Sequence, residues 1–118
     1  MLSHICYRQM DDKWPASLSK IIARDLLRNQ MGFSGLAITD DLDMGAIRKH
    51  YDMPTVIERI LTCEIDIALI CHRSRDMEDA FDAIMAFQEV SISNHRLGER
   101  SLARIMRAKE SIRSSQSA

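Results

Sequence analysis

The chain has few cysteines. It contains three cysteines, Cys6, Cys63 and Cys71, which form neither a CxxC pair nor a Cys/His pattern at metal-ligand spacing. An odd number of cysteines without a secretory signal indicates reduced thiols that serve as small hydrophobic residues. We therefore predict no bound metal.

Long apolar runs and an excess of one charge are also missing. No stretch reaches the roughly 18 apolar residues needed to cross a bilayer, and the formal net charge is −1. This balance gives no electrostatic basis for binding nucleic acid or an anionic membrane. Residues 1–6 have neither a charged n-region nor a long apolar h-region, so we expect no secretory signal and a cytoplasmic protein.

Hydrophobic periodicity divides the 118 residues into the strands and helices of one domain. The sequence predicts strands at residues 2–7, 35–40 and 65–71, and helices at 20–30, 44–50, 54–63, from 76 onward and from 97 or 98 to 112. The order β-α-β-α-β-α-α is typical of a parallel sheet with right-handed crossovers. The predicted fold class is therefore α/β, and its three parallel strands fit the last three βα units of a barrel.

Residues 36–44, Leu-Ala-Ile-Thr-Asp-Asp-Leu-Asp-Met, carry the strongest chemical signal. They follow a Gly-Phe-Ser-Gly turn, and their apolar half ends abruptly in Asp40 and Asp41. Parallel α/β enzymes present charge to a ligand at the carboxyl ends of their strands. Alternatively, Asp40 or Asp41 caps the following helix, where short acidic side chains are favoured. Spacing alone leaves both interpretations open.

Several short motifs occur in the order found in family 3 glycoside hydrolases. They are Pro-Ala-Ser-Leu-Ser at 15–19, Leu-Leu-Arg at 26–28, Gly-Phe at 32–33, Gly35, Thr-Asp-Asp-Leu at 39–42 and Met-Gly-Ala-Ile at 44–47. Their combination resembles the bacterial β-N-acetylglucosaminidase branch of that family. The resemblance implies that residues 1–118 are the C-terminal portion of the catalytic domain, a partial (β/α)8 TIM barrel with strands six to eight and a C-terminal helix.

The resemblance assigns roles to three residues. Asp40 matches the catalytic nucleophile, which ends a strand in a Ser/Thr-Asp pair. His4 matches a histidine on the sixth strand that faces the sugar, and Met44 matches a position lining the pocket. The family's acid/base histidine and most of its sugar-binding residues lie on loops N-terminal to the matched region, and the chain contains no Lys-His-Phe-Pro-Gly-His motif.

The same residues and their neighbours also have structural interpretations. His4 equally fits a hydrogen-bonded histidine at a barrel rim, and Met44 fits core packing. Asp41 and Asp43 are expected to cap a helix or to carry solvated charge. Trp14, in a proline-flanked loop, fits either sugar stacking or simple loop packing.

One position departs from the family pattern. Before the last predicted strand the family carries a small Ala-Gly-Ala/Cys-Asp turn, whereas this chain has Cys-Glu-Ile-Asp at residues 63–66. Glutamate in place of glycine at position 64 costs backbone freedom if the native φ is positive. The departure indicates either relaxed selection on catalysis or a different turn.

These patterns support three functions. The first is a retaining exo-β-N-acetylglucosaminidase acting on cell-wall-derived amino sugars, present as a fragment or a truncated homologue and using no metal or organic cofactor. The second is a non-catalytic remnant that serves as an α/β oligomerisation or sugar-binding module. The third treats Asp40, Asp41 and Asp43 as a Mg²⁺ or phospho-acceptor cluster, although Asp66 begins its strand and no lysine follows a strand tip.

The predicted strands would not be stable alone. Three parallel strands expose two unpaired edges and an apolar face, which another part of a sheet must cover. We therefore expect a homo-oligomer or a complementing N-terminal barrel half as the protein partner, beside a carbohydrate substrate containing N-acetylglucosamine.

Overall fold

The computed structural model describes residues 1–117. A 3₁₀ turn at Ala16–Leu18 and a π-helix at Ile21–Gln30 precede strand β1 at Ile38–Asp41. Then follow helix α1 at Gly45–Arg48, helix α2 at Met53–Thr62, strand β2 at Ile67–Leu69, helix α3 at Arg75–Val90 and helix α4 at Ile92–Gln116. This alternation confirms the predicted α/β class. None of the helices in residues 1–117 has the length and apolar character of a membrane span.

The two strands form a parallel sheet with an irregular register. Ile38 pairs with Ile67 and Asp41 pairs with Leu69, so β1 holds one residue more than the facing part of β2. At this irregularity the buried Thr39 hydroxyl accepts a hydrogen bond from the Leu69 N–H at 3.0 Å. A side chain thus satisfies a backbone donor that the extra residue displaces from the ladder.

The predicted strand at residues 2–7 is wrong beyond its start. Leu2 bridges Thr39 in parallel, through two backbone hydrogen bonds to the β1 strand of 2.8 and 2.9 Å. The chain then leaves the sheet, because the carbonyls of Ser3 and Ile5 accept N–H groups from the 3₁₀ turn. The three predicted parallel βα units are therefore two strands and one bridge, with β1 between Leu2 and β2.

The last helix begins earlier than predicted. Helix α4 starts at Ile92, where Ser91 caps it by accepting a hydrogen bond from the Asn94 N–H at 3.1 Å. Gly98, predicted to lie at the helix start, is inside the helix and faces α3. A Cβ added to Gly98 would lie 2.9 Å from Cδ of Gln88, at the far end of a flexible side chain on α3.

The hydrophobic core lies between the sheet, α2 and the 3₁₀ turn. Its fully buried side chains include Leu18, Leu42, Ile47, Val56, Ile57, Ile60, Cys63 and Ile65. Burial raises the pKa of the Cys63 thiol to about 11, so the thiol stays protonated and packs as a small hydrophobic group. The same role was predicted for Cys6 and Cys71, but both are exposed.

Helix α2 ends in a Schellman motif that has glutamate at its left-handed position. The N–H groups of Glu64 and Ile65 donate to the carbonyls of Leu61 and Ile60. Glu64 has a φ of 58°. The backbone angle is therefore positive, which is the condition under which the sequence predicts a cost for glutamate in place of glycine. Its carboxylate lies 3.2 Å from Nη2 of Arg100 in α4, which offsets part of the strain.

A buried carboxylate joins three parts of the fold. Asp66, directly before β2, has a fully buried side chain. Its Oδ2 accepts hydrogen bonds from Arg28 Nη2 at 2.7 Å and from the Ala37 N–H at 3.0 Å. Its Oδ1 accepts from Arg104 Nε and Ser101 Oγ, both at 2.8 Å. Asp66 therefore fixes the π-helix, the entry to β1 and α4 relative to one another.

Replacing Asp66 tests this role. We expect Asp66→Asn to lower the free energy of unfolding by about 3–5 kcal/mol, because two buried guanidinium groups lose the charge that compensates them. Urea denaturation followed by far-UV circular dichroism measures the change, with Asp82→Asn on the exposed face of α3 as the matched control. A midpoint equal to that of the unchanged chain would show that the fold does not depend on Asp66.

The strain at Glu64 is tested by comparing two substitutions. Both Glu64→Gly and Glu64→Ala remove the contact with Arg100, but only glycine adopts the left-handed conformation freely. We expect the glycine variant to be more stable than the alanine variant by about 1 kcal/mol in urea denaturation. Equal stability of the two variants would mean that the end of α2 carries no backbone strain.

Candidate active site

Asp40 lies near the carboxyl end of β1, where its side chain is partly buried. Its backbone N–H donates to the Leu2 carbonyl at 2.9 Å, which fixes the residue between two neighbouring chain segments. Its Oδ1 accepts a hydrogen bond from the Asp41 N–H at 2.8 Å. Among residues 1–117 no hydrogen bond is donated to Oδ2. One oxygen is thus held in place while the other is free to react.

The backbone of Asp41 is held on both sides. Its N–H donates to Asp40, as described above. Its carbonyl oxygen accepts from His4 Nε2 at 2.8 Å and from the Met44 N–H at 3.2 Å. The residues predicted from the sequence as site residues, Asp40, His4 and Met44, are therefore brought together around one residue.

The carboxylate of Asp41 has a separate set of partners. Its Oδ1 accepts the N–H groups of Asp43 at 3.0 Å and Cys71 at 3.1 Å. The pKa of Asp41 is lowered, most strongly by the hydrogen bond from Asp43; partial burial opposes this, while Cys71 and His72 reinforce it. The predicted helix-capping role is wrong, because Met44 is the N-cap residue of α1 and no side chain caps that helix. Asp41 instead joins the turn after β1 to the end of β2.

Both ring nitrogens of His4 are hydrogen-bonded to protein groups. Nδ1 lies 2.6 Å from Oγ of the fully buried Ser17, and Nε2 lies 2.8 Å from the Asp41 carbonyl oxygen. Because a carbonyl oxygen only accepts, Nε2 carries a proton, and Nδ1 of the neutral ring accepts from Ser17. This is the hydrogen-bonded histidine considered from the sequence, and a substrate-binding role for His4 stays a prediction.

Met44 and Trp14 have different surroundings. The Met44 side chain is 44% exposed, so it is not part of the core, and its pocket-lining role stays a prediction. Trp14 stacks on Tyr51 with ring centroids 5.1 Å apart, and the Arg59 guanidinium lies 4.4 Å from the indole centroid. The aromatic face of Trp14 is therefore used within the protein, which agrees with loop packing.

Acidic groups meet a histidine beside the site. Donor atoms of Asp41, Asp43 and His72 lie within 4.8 Å of one another. Hydrogen bonds inside the group account for its shape, since the His72 N–H donates to Asp43 Oδ2 at 3.3 Å. Asp40 is not a member, so the described residues do not form the three-aspartate cation cluster considered from the sequence. Sequence reasoning missed His72 because it lies 29 residues from Asp43 along the chain.

Comparisons with known proteins agree with the motifs. A family model described as the glycosyl hydrolase family 3 N terminal domain matches residues 1–108. A beta-hexosaminidase of Hydrogenovibrio crunogenus is 32% identical over 107 residues, which are 91% of this chain and 27% of that protein. One of Actinobacillus succinogenes is 34% identical over 82 residues, which are 70% of this chain and 23% of that protein. The chain thus spans about a quarter of the length of these curated relatives.

Solved structures show the same relationship. A family 3 β-N-acetylglucosaminidase from Paenibacillus sp. str. FPU-7 superposes with a TM-score of 0.78 at 30% identity, over 87% of this chain and 20% of that one. A β-N-acetylhexosaminidase from Beutenbergia cavernae DSM 12333 superposes with a TM-score of 0.84 at 25% identity, over 92% of this chain and 32% of that one. Sequence and fold agree over nearly the whole chain, which therefore belongs to glycosyl hydrolase family 3 and matches its N-terminal domain.

Proposed function

We propose that this chain provides the nucleophile region of a retaining exo-β-N-acetylglucosaminidase acting on cell-wall-derived amino sugars. Membership of the family supports hydrolysis of O-glycosyl bonds, and the names of the relatives support a substrate that contains N-acetylglucosamine. The observation that carries the proposal is the Asp40 carboxylate, which has one fixed and one free oxygen at the carboxyl end of a strand.

The proposed chemistry divides between this chain and a group outside it. Oδ2 of Asp40 attacks the anomeric carbon while the bond to the leaving oxygen breaks, which forms a covalent glycosyl-enzyme. Water then hydrolyses that ester, and the sugar is released with its configuration retained. A second group must protonate the leaving oxygen, and the resemblance places the acid/base histidine upstream of the matched region. The chain thus contributes the nucleophile and its support.

We also propose that residues 1–118 are strands six to eight and the C-terminal helix of a (β/α)8 barrel. The parallel order of Leu2, β1 and β2 supports this, because neighbouring barrel strands follow one another in sequence. Apolar side chains at every fourth position of α3, Met77, Phe81 and Met85, are 42%, 63% and 46% exposed. An exposed apolar stripe of this kind is typical of a surface that another protein segment covers, here a second copy or a complementing barrel half.

A non-catalytic remnant is the second candidate function. The specific observation in its favour is Glu64, which holds a left-handed conformation where the family pattern has glycine. A chain that no longer turns over substrate tolerates such strain provided that the fold survives. In this case the protein serves as an α/β oligomerisation or sugar-binding module.

Trapping the glycosyl-enzyme distinguishes the two candidates. We expect the purified chain to gain the mass of one sugar when incubated with a slow-turnover dinitrophenyl 2-acetamido-β-glucoside analogue, because this leaving group needs no protonation. Asp40→Asn should abolish the gain and Asp82→Asn should preserve it, as measured by intact-protein mass spectrometry. Folded protein that never gains the mass would show that the isolated chain has no competent nucleophile site, which makes it either a remnant or an incomplete barrel half.

The exposed α3 stripe predicts self-association of the isolated chain. Sedimentation equilibrium at micromolar concentration should give a mass above the 13.5 kDa of one chain, with a dimer as the simplest closed assembly. The double variant Phe81→Glu, Met85→Glu should shift the equilibrium toward the monomer, because it charges the apolar stripe. A monodisperse monomer of the unchanged chain would contradict the prediction.

A further inference from the structure

We infer that Ser17 and His4 are a positioning pair that holds the Asp40 carboxylate through Asp41. This inference rests on the proposed role of Asp40, and it identifies how the fold keeps that group oriented. Neither residue needs to touch the sugar for this purpose.

The first step is the contact between Ser17 and His4. Ser17 lies in the 3₁₀ turn with its side chain fully buried, and its backbone N–H is bonded to the Ser3 carbonyl at 3.0 Å. The 3₁₀ turn that carries Ser17 is therefore bonded to the backbone of Ser3 and Ile5, the residues that flank His4 in the sequence. The 2.6 Å distance from Ser17 Oγ to His4 Nδ1 then fixes the orientation of the imidazole ring.

The second step runs from His4 to Asp40. His4 Nε2 donates to the Asp41 carbonyl oxygen at 2.8 Å, and the N–H of that same residue donates to Asp40 Oδ1 at 2.8 Å. The carbonyl and the N–H belong to the two peptide planes that flank the Asp41 Cα, so the His4 bond restricts the φ and ψ angles that relate one plane to the other. Ser17, His4 and Asp41 therefore form a continuous path of hydrogen bonds that ends on the carboxylate.

The arrangement also restricts how His4 interacts with a ligand. Each imidazole nitrogen already has one protein partner, so neither is available to a sugar hydroxyl while the pair is intact. Only the carbon atoms of the ring can contact a substrate. His4 therefore affects the site mainly by positioning, which separates this inference from the substrate-binding role that the family resemblance implies.

The turn after β1 also has hydrogen bonds that do not involve His4. The Asp41 carboxylate accepts the N–H groups of Asp43 and Cys71, and neither bond involves His4. Loss of the His4 bond should therefore loosen the Asp41 backbone without unfolding the chain. Substitutions at His4 can thus be compared in folded protein.

Two substitutions separate the two ring nitrogens. The amide nitrogen of glutamine reaches the place of Nε2, and that of asparagine reaches the place of Nδ1, so His4→Gln keeps the donor to Asp41 and His4→Asn loses it. The readout is the hydrogen-exchange rate of the Asp41 amide, followed by NMR. We expect His4→Asn to exchange about tenfold faster than the unchanged chain and His4→Gln within about threefold of it. His95→Asn, on the exposed face of α4, is the control and should change nothing.

The ring itself gives a second spectroscopic test. Nitrogen-15 shifts of His4 should show the proton on Nε2, and this tautomer should persist in Ser17→Ala, because the Asp41 carbonyl oxygen can only accept that proton. A proton on Nδ1 in the unchanged chain, or equal Asp41 exchange rates in His4→Gln and His4→Asn, would overturn the positioning pair.

The rate of glycosyl-enzyme formation connects the pair to catalysis. With the dinitrophenyl glycoside, His4→Asn should slow labelling about tenfold at unchanged sugar affinity, and His4→Gln should restore most of the rate. Weaker affinity at an unchanged labelling rate would overturn the inference in favour of direct sugar binding. If the unchanged chain does not label but the exchange pattern appears, the positioning pair is supported and catalysis by the isolated chain is refuted.

Discussion

The ionic contact of Asp66 with Arg28 and Arg104 is the interaction on which the rest of the chain depends. A buried carboxylate is stable only when charged donors compensate the loss of water, and here four donors from three parts of the fold do so. The arginines lie in the π-helix and in α4, at opposite ends of the sequence. The small sheet between them has only two strands, so these contacts supply the order that a larger sheet would normally provide.

The residues of this contact lie apart from those of the candidate active site. Asp66 and its partner Ala37 precede the two strands, whereas Asp40 and Asp41 end β1. Because the strands are parallel, the ion pairs lie at the amino ends of the sheet and the candidate site lies at the carboxyl ends. Substitutions at the site can therefore change reactivity while the fold remains intact.

The carboxylates of Asp40, Asp41 and Asp43 have different hydrogen-bond partners. Asp41 accepts two backbone N–H groups, and Asp43 contacts His72 and lies 3.8 Å from an Arg48 nitrogen. Each carboxylate has one oxygen that accepts no hydrogen bond from the described residues, but Asp40 alone among the three is bonded neither to the segment after β2 nor to a basic side chain. Position in sequence places all three acids together, but the hydrogen bonds give them different roles.

The sequence predicted features that depend on neighbours along the chain. The α/β class, the strand that carries Asp40 and the consequence of glutamate at position 64 all follow from local patterns, and the structure agrees with each. The predicted strand beyond Leu2 was wrong because the carbonyls of Ser3 and Ile5 accept hydrogen bonds from the 3₁₀ turn instead of from a neighbouring strand. The start of α4 was wrong because Ser91, and not a residue beside Gly98, caps the helix.

Contacts between distant residues were beyond sequence reasoning. The bonds of His4 to Ser17 and Asp41 span 13 and 37 positions, and Arg104 lies 38 positions from Asp66. Nothing in local composition or periodicity indicates such pairs. The identity of Asp40 as a candidate was therefore predictable, whereas the way the fold holds and orients it was not.

Locating the trapped sugar on the chain tests the account most directly. The chain treated with the dinitrophenyl glycoside is digested, and tandem mass spectrometry assigns the sugar ester within the peptide that contains residues 35–48. We expect a single adduct on Asp40, because the carboxylates of Asp41 and Asp43 are hydrogen-bonded to the segment after β2 and that of Asp40 is not. An adduct on Asp41 or Asp43 would contradict the division of roles that the hydrogen bonds define.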